Sequence, residues 1–119
     1  MKLTEVEVIA IAQKVIEDIE WLYDEEKGIR PIAYDIEAQI ERVSTQKNHP
    51  RFAEYVALLK PYWSAIMDFP KDDGWEGRNM IWVRIYDDIG EPYEVGHRQF
   101  SSPLRLNEEG KYEIVNKLG

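Results

Sequence analysis

The sequence predicts an α+β fold, with about three N-terminal helices packed on a C-terminal antiparallel sheet of three to four strands. Three observations carry this. Apolar residues recur at helical spacing from Val8 to Ile66. The period then changes to alternation, with Ile81, Val83 and Ile85 on one side and Met80, Trp82, Arg84 and Tyr86 on the other. Beyond that, turn-forming residues divide the chain at hairpin spacing. Helices followed by an antiparallel meander are the α+β order. At 119 residues the chain is read as one domain, 1–119.

The first helix opens on a capping box. Thr4 and Glu7 have the spacing at which each side chain reaches the other's backbone N–H, and Leu3 and Val8 have the spacing of a hydrophobic staple. Val8, Ala12, Val15, Ile19 and Leu22 then form one face. Gly28 suits the left-handed position after a helix end, and Pro31 prevents resumption. Asp24, Glu25 and Glu26 would sit at the negative end of the helix dipole, which marks that cluster as unusual.

A second helix is predicted over 32–44 from Ile32, Ile36, Ile40 and Val43. Residues 46–49 read as a loop, with Pro50 at the first turn of a third helix. Phe52, Val56, Leu59, Trp63 and Ile66 keep one helical phase across Pro61, which predicts a single helix kinked there. Residues 69–74 break the pattern. Strands follow over 80–86 and 93–100, separated by a turn at 87–92. A last hairpin runs through 104–106, 107–110 and 112–115. The buried positions predicted from these phases are Val8, Val15, Ile19, Leu22, Ile36, Ile40, Val56, Leu59, Ile81, Val83 and Ile85. Trp82 falls on the opposite sheet face, which needs a cover: a helix, a pocket or a partner. The same segment order occurs in cystatin-like and nuclear-transport-factor-like folds. Only the order is shared, and no motif identifies a family.

Charge narrows the function classes. The formal net charge is −8. Nucleic acid and anionic membrane surfaces would be repelled, whereas basic proteins would be attracted. The acids are concentrated in residues 1–30 and 61–94, each with eight carboxylates. The stretch 62–94 also holds seven of the fourteen aromatic residues, including Trp63, Trp75 and Trp82. Aromatic area beside unpaired acidity suits a surface that binds something basic. A solubilising acidic coat is the plainer explanation of the same balance.

There is no cysteine, so disulfides, thiolate nucleophiles and cysteine metal sites are excluded. The N-terminal residues lack a signal-peptide pattern, and no apolar run reaches membrane-spanning length. A cytoplasmic location is the expectation.

Chemical motifs are sparse. His49 and His97 lie far apart, without metal-ligand spacing or an evident reacting neighbour. His49 reads as a loop residue and His97 as a structural histidine in a strand. Asp72, Gly74 and Glu76 make only a fragment of a calcium loop, and adjacent acids such as Asp72-Asp73 and Asp87-Asp88 are ordinary turn formers. The serines lack a nucleophile elbow, and no glycine-rich phosphate loop occurs. No catalytic residue, metal or cofactor is expected.

The preferred expectation is a non-enzymatic acidic protein that engages a basic partner protein, with an inhibitor or immunity-type protein as its sharpest version. Asp72, Asp73, Glu76, Asp87, Asp88 and Glu91 would steer association, and Trp75 and Tyr93 would anchor it. A single patch requires the loops at 72–76 and 87–91 to share one side. The alternative is a small-molecule domain with an aromatic pocket lined by Trp63, Trp82, Tyr86 and His97. A third option is a homo-oligomeric structural protein, such as a homodimer, that buries the exposed sheet face against a copy of itself.

Overall fold

A computed structural model describes residues 1–70, 80–97 and 100–115. The fold is α+β: the described residues form three α-helices and a six-stranded antiparallel sheet whose strands are adjacent in chain order, β1 to β6. Helix α1 (Glu5–Asp18) opens as the sequence predicts. Thr4 Oγ1 accepts from the Glu7 N–H at 3.2 Å, and Glu7 Oε1 accepts from the Thr4 N–H at 3.0 Å. Its apolar stripe of Val8, Ala12, Val15 and Ile16 is buried against the sheet.

The end of α1 departs from the prediction. The helix stops at Asp18, ten residues before Gly28. The Glu20 N–H donates to the Glu17 carbonyl at 3.2 Å, and the Trp21 N–H donates to the Ile16 carbonyl at 3.1 Å. This is the paired-bond C-terminal cap that glycine normally serves, yet Glu20 occupies the left-handed position, at φ 62°. Leu22 is therefore not a core residue: it is 77% exposed. Gly28, at φ 71°, instead closes a turn organised by Asp24. The buried Asp24 carboxylate accepts from the Glu26 N–H at 3.0 Å, and the Gly28 N–H donates to the Asp24 carbonyl at 3.2 Å. Glu20→Gly should stabilise the fold by about 0.5–1 kcal/mol, since a side chain in the left-handed region is strained. The check is the urea midpoint at unchanged slope.

The middle of the chain holds the largest corrections. Strand β1 (Arg30–Tyr34) occupies the predicted start of the second helix. Its Pro31 is tolerable because β1 is an edge strand paired only to β2. Helix α2 (Ile36–Arg42) begins at Asp35, whose carboxylate accepts from the Ala38 N–H at 2.7 Å. A short 3-10 turn (Ser44–Gln46) and α3 (Phe52–Ala57) follow. The predicted kinked helix does not exist. Strand β2 (Tyr62–Asp68) begins just after Pro61. Proline disfavours helical backbone at the residue before it, and Trp63, Ala65 and Met67 supply an alternating buried set that the sheet can use. The helical phase through Trp63 and Ile66 is a coincidence of spacing. Ile36 is consequently exposed, and Ile40, Val56 and Leu59 are only half-buried.

Strands β3 (Met80–Tyr86), β4 (Pro92–His97), β5 (Phe100–Leu106) and β6 (Tyr112–Ile114) complete the meander. The sheet thus has six strands rather than three or four. Ile81, Val83 and Ile85 pair across β2 with Met67, Ala65 and Trp63, and Val95 of β4 lies opposite Val83. These residues and the α1 stripe form the core. The predicted last hairpin is present. Asn107 Oδ1 accepts from the Glu109 and Lys111 N–H groups at 2.9 and 3.0 Å, and Gly110 takes φ 80°. Asp18 ties this hairpin to α1, accepting from the Tyr112 N–H at 3.0 Å and from Lys14 at 2.8 Å. Desolvation opposes the Asp18 charge, but these bonds outweigh it and hold the carboxyl below its ordinary range. Among the described residues no helix is long and apolar enough to cross a membrane.

Candidate functional site

Strand polarity separates two ends of the molecule. At one end lie Tyr62, Tyr86, the 87–91 turn and Pro92. At the other lie Asp68, Phe69, Met80, His97 and Phe100. Seven-residue β3 puts about 20 Å between them.

The first end holds half of the predicted acidic surface. Asp88 and Glu91 are exposed there. Asp87 is not a surface residue: it is 3% exposed. Its carboxylate accepts from the Lys2 N–H at 2.7 Å, the Leu3 N–H at 3.0 Å and Trp63 Nε1 at 2.8 Å. Desolvation opposes its charge, but these three donors outweigh it and keep the carboxyl below its ordinary range. Asp87 therefore fastens the segment before α1 to the β3–β4 turn. Its acceptor capacity is taken up by these internal donors.

The sheet face opposite α1 carries a row of tyrosines at this same end. Tyr34 and Tyr62 stack with centroids 4.9 Å apart, and Tyr86 and Tyr93 stack at 3.9 Å. A register shift between Arg84 and Ile85 accommodates the second pair. Burial pushes the Tyr93 hydroxyl well above its ordinary range, with Tyr86 adding to the effect. Arg42 and Lys60 cap Tyr34 and Tyr86 at 5.3 and 5.4 Å, and Arg84 pairs with Glu94 at 2.7 Å. Acids and bases are thus mixed across this face. Further along it Trp82 packs over Gly96, its Nε1 buried with no hydrogen-bond partner among the described residues.

The alternative aromatic pocket does not assemble. Trp63 is buried on the α1 face, bonded to Asp87. His97 shares that face but pairs with Ile81, at the opposite end from Trp63. Trp82 and Tyr86 project from the other face. A sheet one residue thick separates the four side chains into two sets.

The second end holds the feature the sequence did not assemble. Glu20, Trp21, Leu22, Phe69, Pro70, Ile81 and His97 line a hollow of about 340 Å³. Three rings clasp His97: Trp21 edge-on at 5.1 Å, Phe69 edge-on at 5.7 Å and Phe100 tilted at 5.4 Å. His97 Nδ1 is buried with no hydrogen-bond partner among the described residues. The exposed side chains of Leu22, Met80 and Phe100 stand at this end. So does the acidic turn after α1, because the Asp24 N–H donates to the Asp68 carbonyl at 2.9 Å. Glu20 makes no ion pair among the described residues. The predicted residues Asp72, Asp73, Trp75 and Glu76 lie outside the described residues. In the chain they fall between Pro70, which lines the hollow, and Met80, which opens β3. Asp88 and Glu91 stand at the far end of β3 from Met80.

Sequence reasoning placed Leu22 within the core. The signal that finds the hollow is the early helix stop, and no glycine or proline marks it. Among the described residues no group of three metal-ligating side chains is placed to hold an ion. Comparison with known protein families, with curated proteins and with solved structures gave no match.

Proposed function

We propose that this is a non-enzymatic acidic protein that binds a basic partner protein, and that the partner sits over the end of the sheet at Trp21, Phe69 and His97. The observation that supports it is the company kept by the hollow: aromatic walls, exposed Leu22 and Phe100, and carboxylates at Glu20 and Glu25 around them. Buried aromatic anchors inside a charged rim are the common anatomy of a binding hot spot. The net charge of −8 selects the sign of the partner. Asp72, Asp73 and Glu76 belong to the same reading by their charge in the sequence. The sharpest form is an inhibitor or immunity-type protein covering a positively charged site on an enzyme, with a cytoplasmic location.

The test starts from a partner captured in the native source and identified by mass spectrometry. Association of the purified pair should slow several-fold on Glu20→Gln with Glu25→Gln, and again on Asp72→Asn, Asp73→Asn and Glu76→Gln, and it should fall steeply with added salt. Leu22→Ser should act on dissociation instead. Rates that ignore salt and all five charge changes would remove this reading.

A further inference from the structure

We infer that the hollow beside Trp21 receives a cationic side chain, best an arginine guanidinium, presented by the partner. The inference rests on the reading above and names the chemistry of its central contact. The walls are π-faces and edges from Trp21, Phe69 and His97, with aliphatic area from Leu22, Pro70 and Ile81. A purely apolar occupant would need nothing more. This lining also carries an acid among its aromatic residues. Glu20 is held there in the left-handed conformation, at φ 62°. Glycine would cap α1 with less strain, so the cap geometry does not account for a glutamate at this position. The residue keeps a carboxylate without an ion pair among the described residues at the edge of an aromatic hollow. Aromatic walls with an acid at the mouth are the chemistry that selects a cation over a neutral group of the same shape. A guanidinium fits best because its planar faces stack on rings while its edge donates to a carboxylate. Exposed Glu25 stands on the turn that packs beside Asp68, whose own charge is paired with Arg30 at 2.9 Å.

The experiment uses the full chain, labelled with nitrogen-15, titrated with N-acetyl-arginine amide. N-acetyl-citrulline amide, neutral and of the same shape, and N-acetyl-norleucine amide, apolar only, serve as comparators. Arginine amide should shift the Trp21 indole, Leu22 and His97 signals together, with millimolar affinity. Citrulline amide should bind roughly fivefold to tenfold more weakly. Glu20→Gln should remove most of that difference while leaving the rest of the spectrum in place. Citrulline or norleucine amide binding as well as arginine amide would overturn the inference, as would shifts confined to residues outside the hollow or no shifts at all. The two readings fail separately. A salt-sensitive partner with no arginine response in the hollow sinks this inference and leaves the binding function. An arginine response without any basic partner does the reverse.

Discussion

Gly96→Ala should cost about 3 kcal/mol or more. A Cβ on Gly96 would lie 2.2 Å from Trp82 Cζ2 and 2.6 Å from the Phe100 carbonyl oxygen. The first contact could be relieved by turning the indole. The second is backbone of the neighbouring strand, in the ladder where His97 pairs with Phe100. Relief would mean opening that ladder. Interior packing is dense enough that such a shift spreads rather than being absorbed locally. The measurement is denaturant unfolding followed by tryptophan emission. A lowered midpoint with altered native-state emission is expected, since Trp82 must leave its place over Gly96. A loss below about 0.5 kcal/mol would mean that the indole does not lie there.

Asp87→Ala should cost about 3 kcal/mol, by a different route. The carboxylate satisfies two backbone N–H groups and the buried Trp63 indole N–H. Alanine leaves those donors without their acceptor and frees the segment before α1. Asp87→Asn keeps one acceptor oxygen and should cost less. The pH dependence follows from the direction of the shift. The folded-state pKa lies below the unfolded value, so the contribution is fully present above the ordinary carboxylate range. It is lost as the pH falls through the folded-state pKa. Wild-type stability should therefore decline in acid more steeply than that of Asp87→Ala, and the two curves should converge at low pH. Parallel curves down to the lowest pH would show that Asp87 is not the charged clasp.

Some of this protein was legible from residue order alone. The capping box at Thr4 and Glu7, the α1 stripe and the Asn107 hairpin rest on short-range geometry, and local geometry is what spacing encodes. The alternation of Ile81, Val83 and Ile85 declared a half-buried strand, because a sheet with one covered face demands period two. The net charge and the absence of cysteine bounded the chemistry without any fold.

Tertiary structure decided the rest. Residues 62–68 fit a helical phase and a strand phase equally well. The strand prevails because β3 offers a pairing edge and the core takes Trp63, Ala65 and Met67 on one side. Asp87 and Asp88 are neighbours of the same type, yet one is a buried acceptor and the other a solvated acid. That difference arises from where the Lys2 and Leu3 N–H groups and the Trp63 indole come to rest, over contacts of up to 85 positions. The hollow joins Trp21, Phe69 and His97, from the end of α1, the end of β2 and the end of β4. No local pattern links residues so distant in the chain. Only the stacking of strand ends, with α1 stopping short of its expected end, brings their rings and the Glu20 carboxylate to one place.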